Sequence, residues 1–259
     1  MTYSSTSPST GPGSPEVFGF YDDDTGSIQY LVADPETAKA ALVDVVLGFD
    51  PESAATHSAG ADAILSFASS EGFEIEWILD MPDAFDPARD FDRLFADGDE
   101  FQIGNLPVRV MLTPGHTLGS ITYVVGDDAA FVHDTFMQPD VGTSRADFPG
   151  GSAGELYDSL QAILSLPDRT RLFIGHDYGS DFRETPDWVS TVAEQRRHNA
   201  HIGGGVAKAE YVKTREERDK TLALPDRMLH VLQMNLRAGR LPEPESDDNR
   251  YLKIPLNRF

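Results

Sequence analysis

The chain has 259 residues, 40% of them hydrophobic and 25% charged, enough to bury one or two substantial cores. Its 43 Asp and Glu against 21 Lys and Arg give a formal charge of -22, a polyanion that repels phosphate backbones and acidic lipid surfaces and so excludes nucleic acid and membranes as partners. No stretch approaches the roughly 20 apolar residues of a membrane span, and the absence of cysteine removes disulfides, thiolate zinc sites and a cysteine nucleophile, leaving any metal to His and carboxylate.

Within that charge balance, 28 Asp and 16 Arg stand beside only 5 Lys. This Asp-rich, Lys-poor bias resembles that of haloadapted cytoplasmic proteins, whose carboxylate repulsion is screened at high salt; an ordinary acidic protein is the plainer alternative. Residues 1–15 are rich in Ser, Thr, Gly and Pro and lack both an apolar h-region and a basic start. They read as a flexible lead-in rather than a secretory signal, followed by a single domain over 16–259 with a helical C-terminal extension, in the cytoplasm.

From Val17 the pattern predicts short strands at Val17 to Tyr21, Ile28 to Ala33 and Ala40 to Leu47, broken by Asp/Gly and Pro/Glu turns. Helical spacing of Ala59, Ala63, Ile64, Phe67 and Ala68 predicts a helix over Pro51 to Gly72, and Phe73 to Leu79 is the next strand. Phe101 to Ile103, Val108 to Thr113, Ser120 to Val125 and Ala129 to His133 read as consecutive strands. An amphipathic helix over Ser152 to Leu166 carries Leu156, Leu160, Ile163 and Leu164 on one face and leads to a strand at Arg171 to Ile174. Helices are expected at Pro186 to His198, Lys208 to Leu222 and Pro225 to Ala238. A strand-rich half repeated once implies two packed sheets with helices outside.

Three of the seven histidines lie at strand ends, where sites are commonly built. His116 sits in Thr113-Pro114-Gly115-His116-Thr117, Asp134 follows His133, and His176 lies in Gly175-His176-Asp177-Tyr178. Two imidazoles and one carboxylate suit Zn²⁺ or Fe²⁺, and on Fe²⁺ such a set leaves positions open for O₂ and substrate. A strand-end His that only makes loop hydrogen bonds is the alternative for each.

Those motifs, with Pro139-Asp140-Val141-Gly142-Thr143, Arg145-Ala146-Asp147-Phe148-Pro149-Gly150-Gly151 and the tail segments Asn235 to Glu245 and Tyr251 to Pro255, resemble the metallo-β-lactamase superfamily. Within it they are similar to the persulfide dioxygenase branch, related to glyoxalase II, over almost the whole span from Val17 to Pro255. The resemblance implies an α+β fold, an αββα sandwich of two mixed sheets with outer helices and a metal site at one edge. It implies Fe(II), with zinc as the alternative, held by His116 and Asp134, with His176 at the position that binds a second metal in dinuclear relatives. It implies a small persulfide or thiol substrate, with Tyr178 and Arg145 ordering it; an Arg there would suit the carboxylates of a glutathione-type molecule.

The chain departs from that pattern in two places. No HxHxDH motif is present, and Asp80 to Asp90 alone joins the segment Glu76 to Leu79 to Phe91 to Gly98, so the first iron ligand and the general-base Asp of hydrolytic relatives are gone. Asp80, Asp83 and Asp86 are carboxylates near that junction, and His176 is the ready replacement ligand. His133 stands where the family usually has Gly; it could supply an imidazole, but strand alternation would send it and Asp134 to opposite faces. His201 reads as a packing residue, and His57, His198 and His230 need no special role. Three functions follow: an Fe(II) persulfide dioxygenase yielding sulfite, a metallohydrolase of thioesters or lactams, or a metal-free binding or scaffold relative whose exposed apolar area favours homo-oligomers.

Overall fold

The structure, a computed structural model, describes residues 3–80, 91–223, 225, 228–235 and 240–254. Two sheets pack face to face. The first has the order β1 (Tyr3–Ser7), β2 (Glu16–Tyr21), β3 (Ile28–Ala33), β4 (Lys39–Val43) and β7 (Glu74–Leu79). The second contains β8 (Glu100–Ile103), β9 (Leu106–Leu112), β10 (Ile121–Val125), β11 (Ala129–His133), β12 (Arg171–Ile174) and β13 (Val189–Thr191), running from β13 at one edge to β8 at the other. β4 pairs parallel with β7 and β11 parallel with β12, while the remaining ladders are antiparallel, so both sheets are mixed as expected.

The layers follow from which faces are apolar. All six residues of β3 are buried, the mark of a strand covered on both sides. On its inner face Tyr30 meets Phe131 and Phe173 edge-on, with ring centroids 5.3 and 5.6 Å apart, and this trio ties the sheets together. On the outer face α1 (Ala59–Glu71) covers Leu31, Ala33, Ala40 and Leu42 with Ile64 and Ala68. The predicted stripe of α2 (Ala153–Leu164) buries Leu156, Leu160, Ile163 and Leu164 with the second sheet, and Ser152 caps the helix by accepting from the Glu155 N–H. The result is the αββα sandwich. No helix among the described residues is long and apolar enough to cross a membrane.

Several boundaries differ from expectation. Residues 3–7 of the segment read as a flexible lead-in pair with β2 as an edge strand. Asp128 accepts from Thr10 and Ser14 at 2.7 and 2.8 Å, and Arg171 donates to the carbonyls of Ser7, Pro8 and Pro15. Composition could not show this, because the partners lie more than a hundred residues away. The helix expected from Pro51 begins at Ala59; before it, β5 (Gly48–Asp50) and β6 (Ala55–His57) form a hairpin. It stops at Gly72, which adopts the left-handed cap. The helix expected from Pro186 begins as α3 (Val192–His198) behind a Thr191/Glu194 capping box, since Val189 to Thr191 pair with β12 as β13. Two further helices, α4 (Lys208–Asp219) and α5 (Met228–Asn235), follow, and the expected extension of α5 to Ala238 lies outside the described residues.

Candidate metal centre

His116 is placed by the tight turn after β9. Gly115 sits at φ +132, and a Cβ there would lie 2.2 Å from the Leu156 backbone nitrogen, so only glycine lets the turn pack against the start of α2. The Gly115 carbonyl accepts from the Ser152 N–H at 2.9 Å, locking turn to helix. The Nδ1 of His116 lies 2.7 Å from the Arg145 carbonyl oxygen. A carbonyl can only accept, so Nδ1 carries a proton, and in the neutral ring Nε2 keeps its lone pair, 3.8 Å from Asp134 Oδ2.

Asp134 follows β11 and is largely buried. Its Oδ1 accepts from His176 Nδ1 at 2.7 Å. Burial works to raise this carboxyl, but His176, His133 and His116 in their protonated forms, together with the His176 hydrogen bond, outweigh that and hold it far below the usual carboxylate range. His176 is presented by a loop with firm backing: the buried Asp177 receives both terminal nitrogens of Arg183, at 2.7 and 2.9 Å, and the Asp187 N–H at 2.8 Å. Tyr178 is 69% exposed and stacks on the His176 ring, with centroids 5.7 Å apart.

Three of the predicted residues therefore come together: His116, Asp134 and His176. Arg145 is near them by a different route. Its guanidinium is engaged by Asp147 at 2.6 and 2.8 Å, donates to the Ala223 carbonyl and lies over the Phe148 ring, so its charge is directed at its own loop while its backbone oxygen fixes His116. His201 accepts the Thr143 N–H at Nδ1, the packing duty expected of it. His57 lies in exposed β6, His198 ends α3, and His230 stacks on Phe49. Asp83 and Asp86 lie outside the described residues.

Sequence reasoning set aside His133, and the structure corrects the premise. The β11 ladder shifts register between Phe131 and His133, where two residues span one step of β12, and His133 has φ +46. The irregularity breaks alternation, so His133 turns toward Asp134, with Nδ1 3.6 Å from Oδ2. His133, Asp134 and His176 each offer a ligand atom within 4.8 Å of one another, with His116 at the border of that triplet. Asp44, which the sequence places only within the strand expected over Ala40 to Leu47, follows β4 at φ +56 with Oδ2 3.4 Å from His133 Nε2. Burial pushes it up to about 6, eased by His133 and reinforced by Asp80 and Asp134. The donor set of imidazole nitrogens around an ionised carboxylate fits a divalent metal of the Zn²⁺ or Fe²⁺ kind.

No family model matches the chain. A β-lactamase hydrolase-like protein of Xylella fastidiosa (strain Temecula1) is 48% identical over 283 aligned positions, covering 94% of this chain and 65% of the relative. The chain thus spans about two thirds of that relative's length, and an alignment longer than the chain itself means the relative carries residues this chain lacks. A probable metallo-hydrolase of Burkholderia pseudomallei (strain 1710b) is 40% identical, over 93% of this chain and 99% of that one. The bovine mitochondrial persulfide dioxygenase ETHE1 is 26% identical over 89% of this chain and 91% of that one. The solved structure of ETHE1 from Myxococcus xanthus superposes with a TM-score of 0.70 at 26% identity, covering 86% of this chain and 98% of that one. Fold and relatives agree: the chain belongs to the metallo-β-lactamase superfamily.

Proposed function

We propose that the protein is an Fe(II) persulfide dioxygenase that oxidises a small glutathione-type persulfide to sulfite in the cytoplasm. The observation that carries this reading is the meeting of His116, Asp134 and His176 at one sheet edge, in a chain similar to ETHE1 proteins in sequence and fold. These three residues would hold the metal. When bound, iron supplies the redox chemistry by which O₂ oxidises the persulfide sulfur.

The chain's own groups set the conditions. Asp134 accepts from His176 Nδ1 at 2.7 Å, a bond that favours its ionised form, and the Arg145 carbonyl fixes the His116 tautomer so that Nε2 keeps its lone pair in the neutral ring. Tyr178, exposed and stacked on His176, is positioned to meet a substrate entering from solvent. The test is elemental analysis of protein purified anaerobically, wild type beside His116→Ala, followed by O₂ uptake with glutathione persulfide. Iron close to stoichiometric in the wild type, lost in the variant, with persulfide-dependent O₂ uptake, supports the proposal. Bound metal with no O₂ uptake but turnover of a glutathione thioester would favour hydrolysis instead, the reading suggested by the name of the Burkholderia relative. Absence of any metal would leave a binding or scaffold role.

A further inference from the structure

We propose that His133 is itself a metal ligand, a third imidazole beside those of His116 and His176 around Asp134, and that Asp44 is the carboxylate that orients it. This rests on the reading of the cluster as a metal centre and names a donor that reading does not include.

The backbone supplies the first reason. A histidine at φ +46 occupies the left-handed region, uncommon for any residue but glycine, although Asn, Asp and His are the side chains that enter it most readily. Strain of this kind persists where the surroundings over-determine it, most often at functional sites. Here the register shift keeps Val132 in the core, fully buried, while His133 and Asp134 face the same space. The ring needs room as well, and Gly175 provides it: a Cβ there would lie 2.8 Å from His133 Cδ2 and 3.0 Å from Asp134 Oδ1.

The second reason is the chemistry at Asp134 Oδ2. His133 is flanked by carboxylates on both nitrogens, Asp134 at Nδ1 and Asp44 at Nε2. A neutral imidazole has one proton and one lone pair, so if Nε2–H points at Asp44, the Nδ1 lone pair faces Asp134. The Nε2 lone pair of His116 faces the same oxygen. The two separations, 3.6 and 3.8 Å, exceed an ordinary hydrogen bond. They approach the spacing of about 3.4 Å between two donors that each lie about 2.1 Å from a shared tetrahedral ion. Lone pairs turned toward an anionic oxygen repel it; a cation among them reverses the sign. Asp44 then plays the carboxylate behind a ligating histidine, an arrangement that fixes tautomer and ring orientation.

The experiment is calorimetric titration of Zn²⁺ into metal-free full-length protein, with Co²⁺ absorption spectra as a second readout. The variants are His133→Gly, His133→Asn, Asp44→Asn and, as a control, His57→Ala. Glycine and asparagine both accept positive φ, so the substitutions remove the imidazole without adding strain, and the metal-free melting temperature should hold or rise. If it drops for glycine, the asparagine variant is the one read. The expected result is a loss of Zn²⁺ affinity of about 100-fold or more at His133 and about 10- to 100-fold for Asp44→Asn. The Co²⁺ spectrum should change in the His133 variants, and the control should match the wild type. Wild-type affinity and an unaltered Co²⁺ spectrum in both His133 variants overturn the assignment while leaving the metal centre standing. Failure of the wild type to bind Zn²⁺ overturns both. Zn²⁺ binding that depends on His133, without O₂ uptake by the iron form, overturns the dioxygenase reading alone.

Discussion

His116 and Arg145 meet through the wrong end of the arginine: the imidazole Nδ1–H donates to the Arg145 main-chain oxygen at 2.7 Å, while the guanidinium turns away to Asp147. The side chain holds its own loop in shape, and the loop holds the histidine. Arg145→Lys should therefore raise the KM for a persulfide substrate by less than about threefold, because no substrate contact is removed. Steady-state kinetics checks this, and a tenfold rise in KM at constant kcat would return the guanidinium to the substrate.

Gly115→Ala should be among the costlier single-methyl changes in the protein. Its φ is +132, and the new carbon meets backbone rather than a side chain that could swing aside. A loss of about 2 to 4 kcal/mol is expected from strain and overpacking together, measured by urea unfolding. A change below about half a kcal/mol would mean that the turn and α2 separate freely.

His201 makes stability depend on acid. Burial, aided by Arg215 and Arg218, lowers it to about 4, below the 6.5 of the unfolded chain. The folded state therefore holds the neutral ring, and its contribution is fully present above about pH 6.5 and lost as pH falls toward 4. Between pH 7 and 5 the wild type should lose about 2 kcal/mol more than His201→Asn, whose amide oxygen can still accept the Thr143 N–H. Parallel unfolding curves at the two pH values decide it; an equal loss in both proteins would show that His201 does not titrate in this range.

Much of the layer plan was legible because it depends on local pattern. The stripe of α2 and the unbroken apolar run of β3 each announce how many sides are covered. His116, Asp134 and His176 were legible as strand-end residues carrying a recognisable motif. What escaped was non-local or a fault in a period. β1 owes its order to Arg171 and Asp128, far along the chain, and β13 wins Val189 to Thr191 from the helix because β12 needs a neighbour. His133 was misplaced by trusting alternation through a strand that abandons it, and Asp44 was hidden by the apolar residues on either side.

The formal charge of -22 sets a further expectation. Repulsion among carboxylates should weaken the folded state in dilute buffer and fade as the Debye length shrinks to about 3 Å at 1 M salt. The melting temperature should climb as KCl is raised from about 0.1 M to about 1 M. Scanning calorimetry across that series tests it, and a steady fall would contradict the salt-adapted reading of the composition.

The irregular step in β11 has a meaning for how such sheets acquire new chemistry. A regular strand end addresses a given direction with every second residue, so a second donor there must be borrowed from another loop. By spending one extra residue against β12 between Phe131 and His133, this strand aims consecutive side chains the same way. A local slippage in pairing, rather than a longer loop, is then enough to turn two neighbouring side chains of one strand toward the same space, which makes the end of a parallel ladder an economical place to gather polar groups.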